Sequence, residues 1–285
     1  MPWRDSPTEF PDDTGGGRAT NLGYRRIARF FLFVIGAFLL ALGLRSFVIA
    51  PFSIPSESME PSLLVGDYII ATKWDYGLGR GERRIGARLP ERGDIVIFDA
   101  GFPRRHYVKR VIGLPGDRIA MDDGHLILNG TPLPRRRLPD FMLTITRQME
   151  EAVRQSALVS ACLDPRFERV SADGKRQCRF RRFAVTLPGG RSHRILDLAD
   201  GLSGDDMAEV VVPEDRLFVM GDNRDRSLDS RLPDGEPGAI GLVPAADVVG
   251  RAAFVIFSVD GSAQIGKPQG WPKAVRWSRI GTGLR

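Results

Sequence analysis

The chain has 285 residues, enough for one ordinary-to-large domain or two small ones, and 42% of them are hydrophobic, ample for a core. The formal charge of +6 comes mostly from arginine clusters such as Arg83-Arg84, Arg104-Arg105, Arg135-Arg136-Arg137 and Arg181-Arg182. Such a balance suits nucleic acid or an anionic lipid surface, and an apolar segment near the N-terminus decides for membrane lipid and against nucleic acid. The two cysteines, Cys162 and Cys178, lack the spacing or histidine pair of a zinc site, so no metal and no cofactor is expected. Outside the cytoplasm they would close a loop worth about 3 kcal/mol; otherwise they are buried thiols.

Residues 1–24 carry Pro, Gly, Asp and Thr with little periodicity and read as a disordered cytoplasmic tail. Arg25, Arg26 and Arg29 then lead into an uninterrupted apolar run over 30–44. As a helix that run rises only ~22 Å, short of the ~30 Å hydrocarbon core. Carried through Ala50, with Arg45 snorkelling toward the far headgroups, it reaches about 31 Å before Pro51 stops it. A transmembrane anchor is therefore expected over 25–50. The competing reading is a cleavable secretory signal, with small residues at 41 and 43 spaced like a cleavage site. A late positive flank and a second apolar patch after Arg45 favour the uncleaved anchor. The basic flank places the N-terminus in the cytoplasm and everything after Pro51 outside.

From Leu64 onward the pattern is β. Asp67 to Thr72, Asp94 to Phe98 and Tyr107 to Ile112 are short apolar runs bounded by Gly, Arg and Asp. Arg118 to Met121 and His125 to Leu128 follow, with turns at Asp123-Gly124 and Asn129-Gly130, and together predict a meander of tight hairpins. Asn129-Gly130-Thr131 also matches a glycosylation sequon, but the turn is the stronger reading. Over 134–206 the pattern weakens to a less regular, Arg-rich, loop-like insertion, with room for one helix between Met142 and Ser160. Strands return at Ala208 to Val212, Arg216 to Met220 and Ala252 to Ser258. The fold class is thus mainly β: an antiparallel β-sheet domain from 51–133 and 207–285, interrupted by an inserted lobe at 134–206. Beyond Asp260, Trp271, Lys273, Arg276, Trp277 and Arg279 read either as a surface at headgroup level or as a solvated tail.

Chemistry points first to the stretch from Ile54 to Leu63, just past the apolar segment. Ser56 and Ser58 lie there between Pro55 and Pro61, which hold the backbone extended or turned; a plain linker has the same composition. A serine nucleophile needs a base. His125 and His193 fall at a turn and in the irregular lobe, where solvated histidine is the default, and alternation puts His106 on the opposite face from Lys109. Lys109 interrupts an apolar strand, so it is either an edge gatekeeper or a partly buried amine. An ordinary lysine is neutral in only about one molecule in a few thousand at pH 7; lowering its pKa to ~8 takes about 3 kcal/mol of desolvation.

A third element runs from Leu217 to Arg231, a strand entering a loop crowded with carboxylates, arginines and hydroxyls. Asp225, Ser227, Asp229 and Glu236 fall at positions of a calcium-binding loop, but Ser230 stands where the turn needs Gly. A salt-bridged loop, with Asp229 and Arg231 as partners and a serine left to orient another group, fits better.

Together these blocks resemble bacterial signal peptidase I, the membrane-anchored serine endopeptidase that removes signal peptides. The resemblance covers the anchor, Pro55 to Leu63, Gly66 to Tyr68, Arg92 to Val96, Tyr107 to Asp117, Met220 to Arg231 and Arg276 to Gly281. It implies Ser58 as nucleophile and Lys109 as general base. It also implies Ser56 at the oxyanion hole, Ser227 orienting the lysine, and Asp229 and Arg231 supporting the site. Phe52, Ile54, Met59, Leu63, Tyr107 and Val108 would line pockets selecting small residues at minus one and minus three, though each also suits ordinary core. The implied partners are signal peptides of exported preproteins and membrane lipid, near the secretion translocon, at the bacterial inner membrane. Glu57 and Glu60 bracketing the nucleophile, the 134–206 lobe and a Pro/Gly-rich stretch at 232–240 depart from the family pattern. Two alternatives remain: a specialised pilin- or conjugation-processing relative with the same dyad, and a non-catalytic membrane-tethered β-domain that binds envelope partners.

Overall fold

The computed structural model describes residues 17–43, 48–77, 85–100, 105–146, 149–151, 160–232, 239–262 and 268–284. Its contacts divide the chain into two units, residues 1–46 and 47–285.

In the first unit, helix α1 spans Gly17–Gly43. Its apolar side chains, among them Phe30, Leu32, Phe33, Ile35, Phe38 and Leu40, are exposed. Among the described residues no helix is long and apolar enough to cross a membrane. The helix begins in polar sequence, and its apolar part, from 30 to 43, rises only about 21 Å. The expected continuation to Ala50 does not hold: strand β1 (Ile49–Ser53) already occupies its end, paired antiparallel with Tyr68 to Thr72.

In the second unit a seven-stranded sheet carries the site. Its strands are β1, β2 (Asp67–Thr72), β3 (Ile95–Ala100) and β4 (Arg105–Gly113), followed after further elements by β13 (Arg216–Met220), β14 (Val243–Pro244) and β15 (Val248–Ser258). They lie in the order β1-β2-β15-β3-β4-β13-β14, all antiparallel. The central strand β3 is apolar on both faces because both are covered. Ile95, Ile97 and Ala71 pack with Ile54, Met59 and Leu63 on one side, and Val96, Phe98, Val111 and Val219 pack on the other.

A second sheet holds β5 (Arg118–Asp122), β6 (His125–Leu128) and β7 (Thr131–Pro132), flanked by β12 (Met207–Val211). This is the predicted meander. Both residues of each turn, Asp123-Gly124 and Asn129-Gly130, have positive φ, as the tightest hairpins require.

The inserted lobe is more regular than its composition suggests. Strands β8 (Arg135–Thr144), β9 (Glu168–Val170), β10 (Arg176–Thr186) and β11 (Ser192–Leu196) form a third antiparallel sheet. Arginine hides the alternation in β8 and β10, because the long sheet buries one face near one end and the other face near the other. Cys178 and Phe180 pack in one cluster, whereas Val185 and Ile195 join the core under the meander. The helix expected between Met142 and Ser160 is displaced at its start by the end of β8; residues 149–151 are helical, and 147–148 and 152–159 lie outside the described residues. Cys162 and Cys178 form a disulfide, which resolves the choice the sequence left open.

The C-terminal segment is neither a solvated tail nor free of the sheet. Short helix α2 (Trp271–Ala274) and the residues after it return to the sheet, with bridges from Val275 to Val259 and from Gly283 to Phe254. Arg279 pairs with buried Asp67 and donates to the Ser62 carbonyl at 2.9 Å. Trp271 and Trp277 remain exposed.

Candidate active site

The nucleophile candidate sits in a single 3-10 turn, Glu57–Met59, between β1 and β2. So short a turn has few hydrogen bonds of its own, and its position is set from outside. The Asn223 N–H donates to the Ser58 carbonyl at 3.0 Å. Arg110, the residue after Lys109, donates to Ser62 Oγ at 3.2 Å, to the Gly93 carbonyl at 2.7 Å and, through both sides of its fork, to Asp222 at 2.8 and 2.7 Å. The serine turn, β4 and the loop after β13 are thereby bound into one cluster.

Gly221 shows how tightly they meet. A β-carbon there would lie 2.3 Å from Ser227 Oγ and 2.5 Å from the Ser58 carbonyl oxygen, both impossibly close. Only glycine lets the strand end pass between the two serines.

Lys109 is 3% exposed in β4, a central strand, so it is no edge gatekeeper. Its ammonium donates to Ser227 Oγ at 2.8 Å. Burial pulls its pKa down to about 8; Arg231 acts in the same direction, while Asp229 and Asp222 oppose it. Asp229 is fully buried, and burial alone would raise its carboxyl. The Arg231 guanidinium, 2.9 Å away, with Lys109 nearby, instead holds it below the usual range. Asp222 behaves likewise against Arg110. The Ser58 hydroxyl, 9% exposed as a residue, lies 3.3 Å from Ser56 Oγ. Among the described residues no hydrogen bond joins Ser58 to Lys109 directly; Ser227 Oγ takes the amine's bond.

The proposed pocket residues separate by burial. Ile54, Met59 and Leu63 are core, none more than 3% exposed, with half-buried Phe52 and Val108 against them. Half-buried Tyr107 belongs to the opposite cluster, its ring 5.9 Å from that of Phe98.

None of the histidines reaches the cluster as a base. His106 pairs with Asp99 at 2.6 Å at an exposed position, and His125 is exposed, bonded to the Asp123 carbonyl. His193 is a correction: it is 7% exposed rather than solvated, because β11 turns it inward. Burial, helped by Arg110, drops its pKa to about 3, so it stays neutral.

Several contributors were not singled out from sequence: Gly221, Arg110, Asp222 and Asn223. A second charge beside Lys109 in an apolar strand and an acidic residue two positions past the end of β13 were the available signals. Glu60, which brackets the nucleophile, is 2% exposed, and its carboxyl is raised well above the usual range by burial and by Glu57.

Comparison with known proteins matches residues 27–257 to the family described as signal peptidase, peptidase S26. A signal peptidase I of Rickettsia typhi is 31% identical over 277 residues, covering 88% of this chain and 90% of its own length. That of Buchnera aphidicola is 31% identical over 256 residues, covering 84% of this chain and 76% of its own. A solved signal peptidase I from Enterococcus faecalis V583 is 24% identical and covers 57% of this chain and 97% of its own, with a TM-score of 0.28, too low to bear on the fold.

Proposed function

The chain belongs to the signal peptidase family, peptidase S26, and we propose that it is a serine endopeptidase that removes signal peptides from exported preproteins, with Ser58 as nucleophile and Lys109 as general base. One observation carries the roles: a lysine buried in a central strand, with its pKa drawn down to about 8, donates to Ser227 at 2.8 Å in the cluster that also holds the Ser58 turn.

Neutral Lys109 takes the Ser58 proton as the hydroxyl attacks the scissile carbonyl. Charge then develops on the carbonyl oxygen. The Ser58 N–H, one of the first in its helical turn and so without an intrahelical acceptor, and the Ser56 hydroxyl are the donors proposed for it. As the intermediate collapses, protonated Lys109 gives its proton to the leaving amine. Water, deprotonated by the same lysine, then frees the acyl group. Ser227 fixes the amine, and the Asp229–Arg231 pair fixes the loop that carries Ser227. Closing the remaining gap between Ser58 and Lys109 falls to substrate binding, since such contacts are often long without substrate.

Substrate would lie extended along the site, main-chain hydrogen bonds giving affinity and shallow pockets selecting small residues at minus one and minus three. Phe52 and Val108 keep surface for that contact, with Ile54, Met59 and Leu63 as the wall behind, while Tyr107 packs with the opposite cluster. The exposed apolar side chains of α1 support a single membrane anchor, cytoplasmic at its basic N-terminal end, with residues 51–285 on the extracytoplasmic face beside lipid and the translocon.

The test is cleavage of several unrelated preproteins by wild type, Ser58→Ala and Lys109→Ala, each checked for fold by circular dichroism. Wild type is expected to process most of them, and both variants to lose at least about a thousandfold. Processing of a single class would identify the specialised relative. No cleavage by wild type would leave the non-catalytic β-domain, and unchanged cleavage in both variants would overturn the Ser58 and Lys109 roles. A reporter active only in the cytoplasm, fused to the N-terminus, is expected to be active; silence overturns the topology.

A further inference from the structure

The residue before the nucleophile faces the inserted lobe. The Glu57 carboxylate accepts from the Ser160 hydroxyl through Oε1 and from the Ala161 N–H through Oε2 at 3.3 Å. The same Oε2 lies 3.8 Å from Nε of Arg226, which directly precedes Ser227. Ser160 is itself held: its Oγ caps the following 3-10 turn by accepting from the Cys162 N–H at 3.2 Å, and Cys162 is joined by disulfide to Cys178 in β10.

We propose that Glu57 is a positioning residue for Ser58, the link through which the disulfide-closed segment of the lobe holds the nucleophile turn in place. The lobe grips the opposite loop as well. The Leu196 N–H donates to the Asp222 carbonyl at 2.8 Å, and Asp225 accepts from the N–H groups of Leu198 and Ala199. Both segments bearing site hydroxyls therefore rest on one insertion, Ser58 through its predecessor Glu57 and Ser227 through the loop that precedes it.

The chemistry of the contact calls for a carboxylate. Hydroxyl and amide N–H both donate, and each carboxylate oxygen accepts one of them. An amide in the same place keeps a single acceptor and turns its NH2 toward the other donor. Glu57 is not among the groups that shift Lys109, so its contribution is to geometry rather than to the base. Displacements of about 1 Å at a reacting atom are enough to cost a hundredfold.

The inference rests on Ser58 being the nucleophile, and the experiment separates the two. Steady-state cleavage is measured on the full chain well below each variant's Tm. Glu57→Ala is expected to lower kcat about tenfold, with KM within about twofold and the apparent pKa near 8 unmoved. Glu57→Gln should fall between it and wild type. Ser160→Ala should lower kcat about threefold and Ser160→Thr restore it, while the Glu57→Ala/Ser160→Ala double variant should be no worse than Glu57→Ala, because both remove one contact. Full kcat in Glu57→Ala or Ser160→Ala, a loss carried by KM, or losses that multiply in the double variant would overturn the proposal. If Glu57→Ala does not fold, the Ser160 pair decides alone. An active Ser58→Ala defeats the nucleophile assignment itself, whereas an inactive Ser58→Ala beside a fully active Glu57→Ala defeats only this inference.

Discussion

The seven-stranded sheet and the inserted lobe both depend on arginine–carboxylate pairs, but they use them differently. Around the site the pairs are buried: Arg110 with Asp222 at 3% and 1% side-chain exposure, and Arg231 with Asp229 at 2% and 0%. In the lobe they are mostly solvated, as for Arg166 with Asp164 and Arg176 with Glu168. A buried pair gains little net stability, since desolvation offsets attraction, but it tolerates only one geometry and is costly to break. A solvated pair is screened and replaceable. The sheet therefore spends its charges on positioning, while the lobe relies on an apolar cluster and a disulfide and keeps its charges for solubility.

That contrast is open to direct attack. Asp222→Ala leaves the Arg110 guanidinium buried without its carboxylate, and should cost about 3–5 kcal/mol in urea unfolding. The lobe's counterpart is the disulfide: Cys162→Ser with Cys178→Ser should cost about 3 kcal/mol by loop-closure entropy, and a much smaller loss would shift the lobe's stability onto its apolar cluster.

The pH profile reads the sheet's charges in activity. A base works only when neutral, so kcat/KM should be flat above a pKa of about 8 and fall about tenfold for each unit below it. An inflection near 10 instead would mean that Lys109 is not desolvated. The smallest effect is expected at Arg166→Ala, whose partner is also on the surface: Tm and activity should match wild type, and a measurable loss there would erase the distinction between the two regions.

Much of the sheet was legible because its strands alternate or run continuously apolar between turn residues. Asp67 to Thr72 and Arg216 to Met220 in that sheet, and His125 to Leu128 in the meander, match the boundaries the structure has. The lobe was not, because Arg135 to Thr144 and Arg176 to Thr186 swap the buried face along their length and carry arginine on both sides. Lys109 was legible as a charge inside an apolar run. Its neighbour Arg110 was not, since only the fold shows that Asp222, 112 residues away, comes to meet it.

The order of blocks, the hairpin turns, the family and the unusual lysine all follow from local pattern and residue type, which act over a few neighbouring positions. Which face each side chain takes, that His193 is buried, that β1 begins where a membrane helix was expected, and that Glu57 reaches Ser160 were decided only by the tertiary structure. Those outcomes depend on contacts between residues far apart in the chain, and periodicity carries no record of such partners.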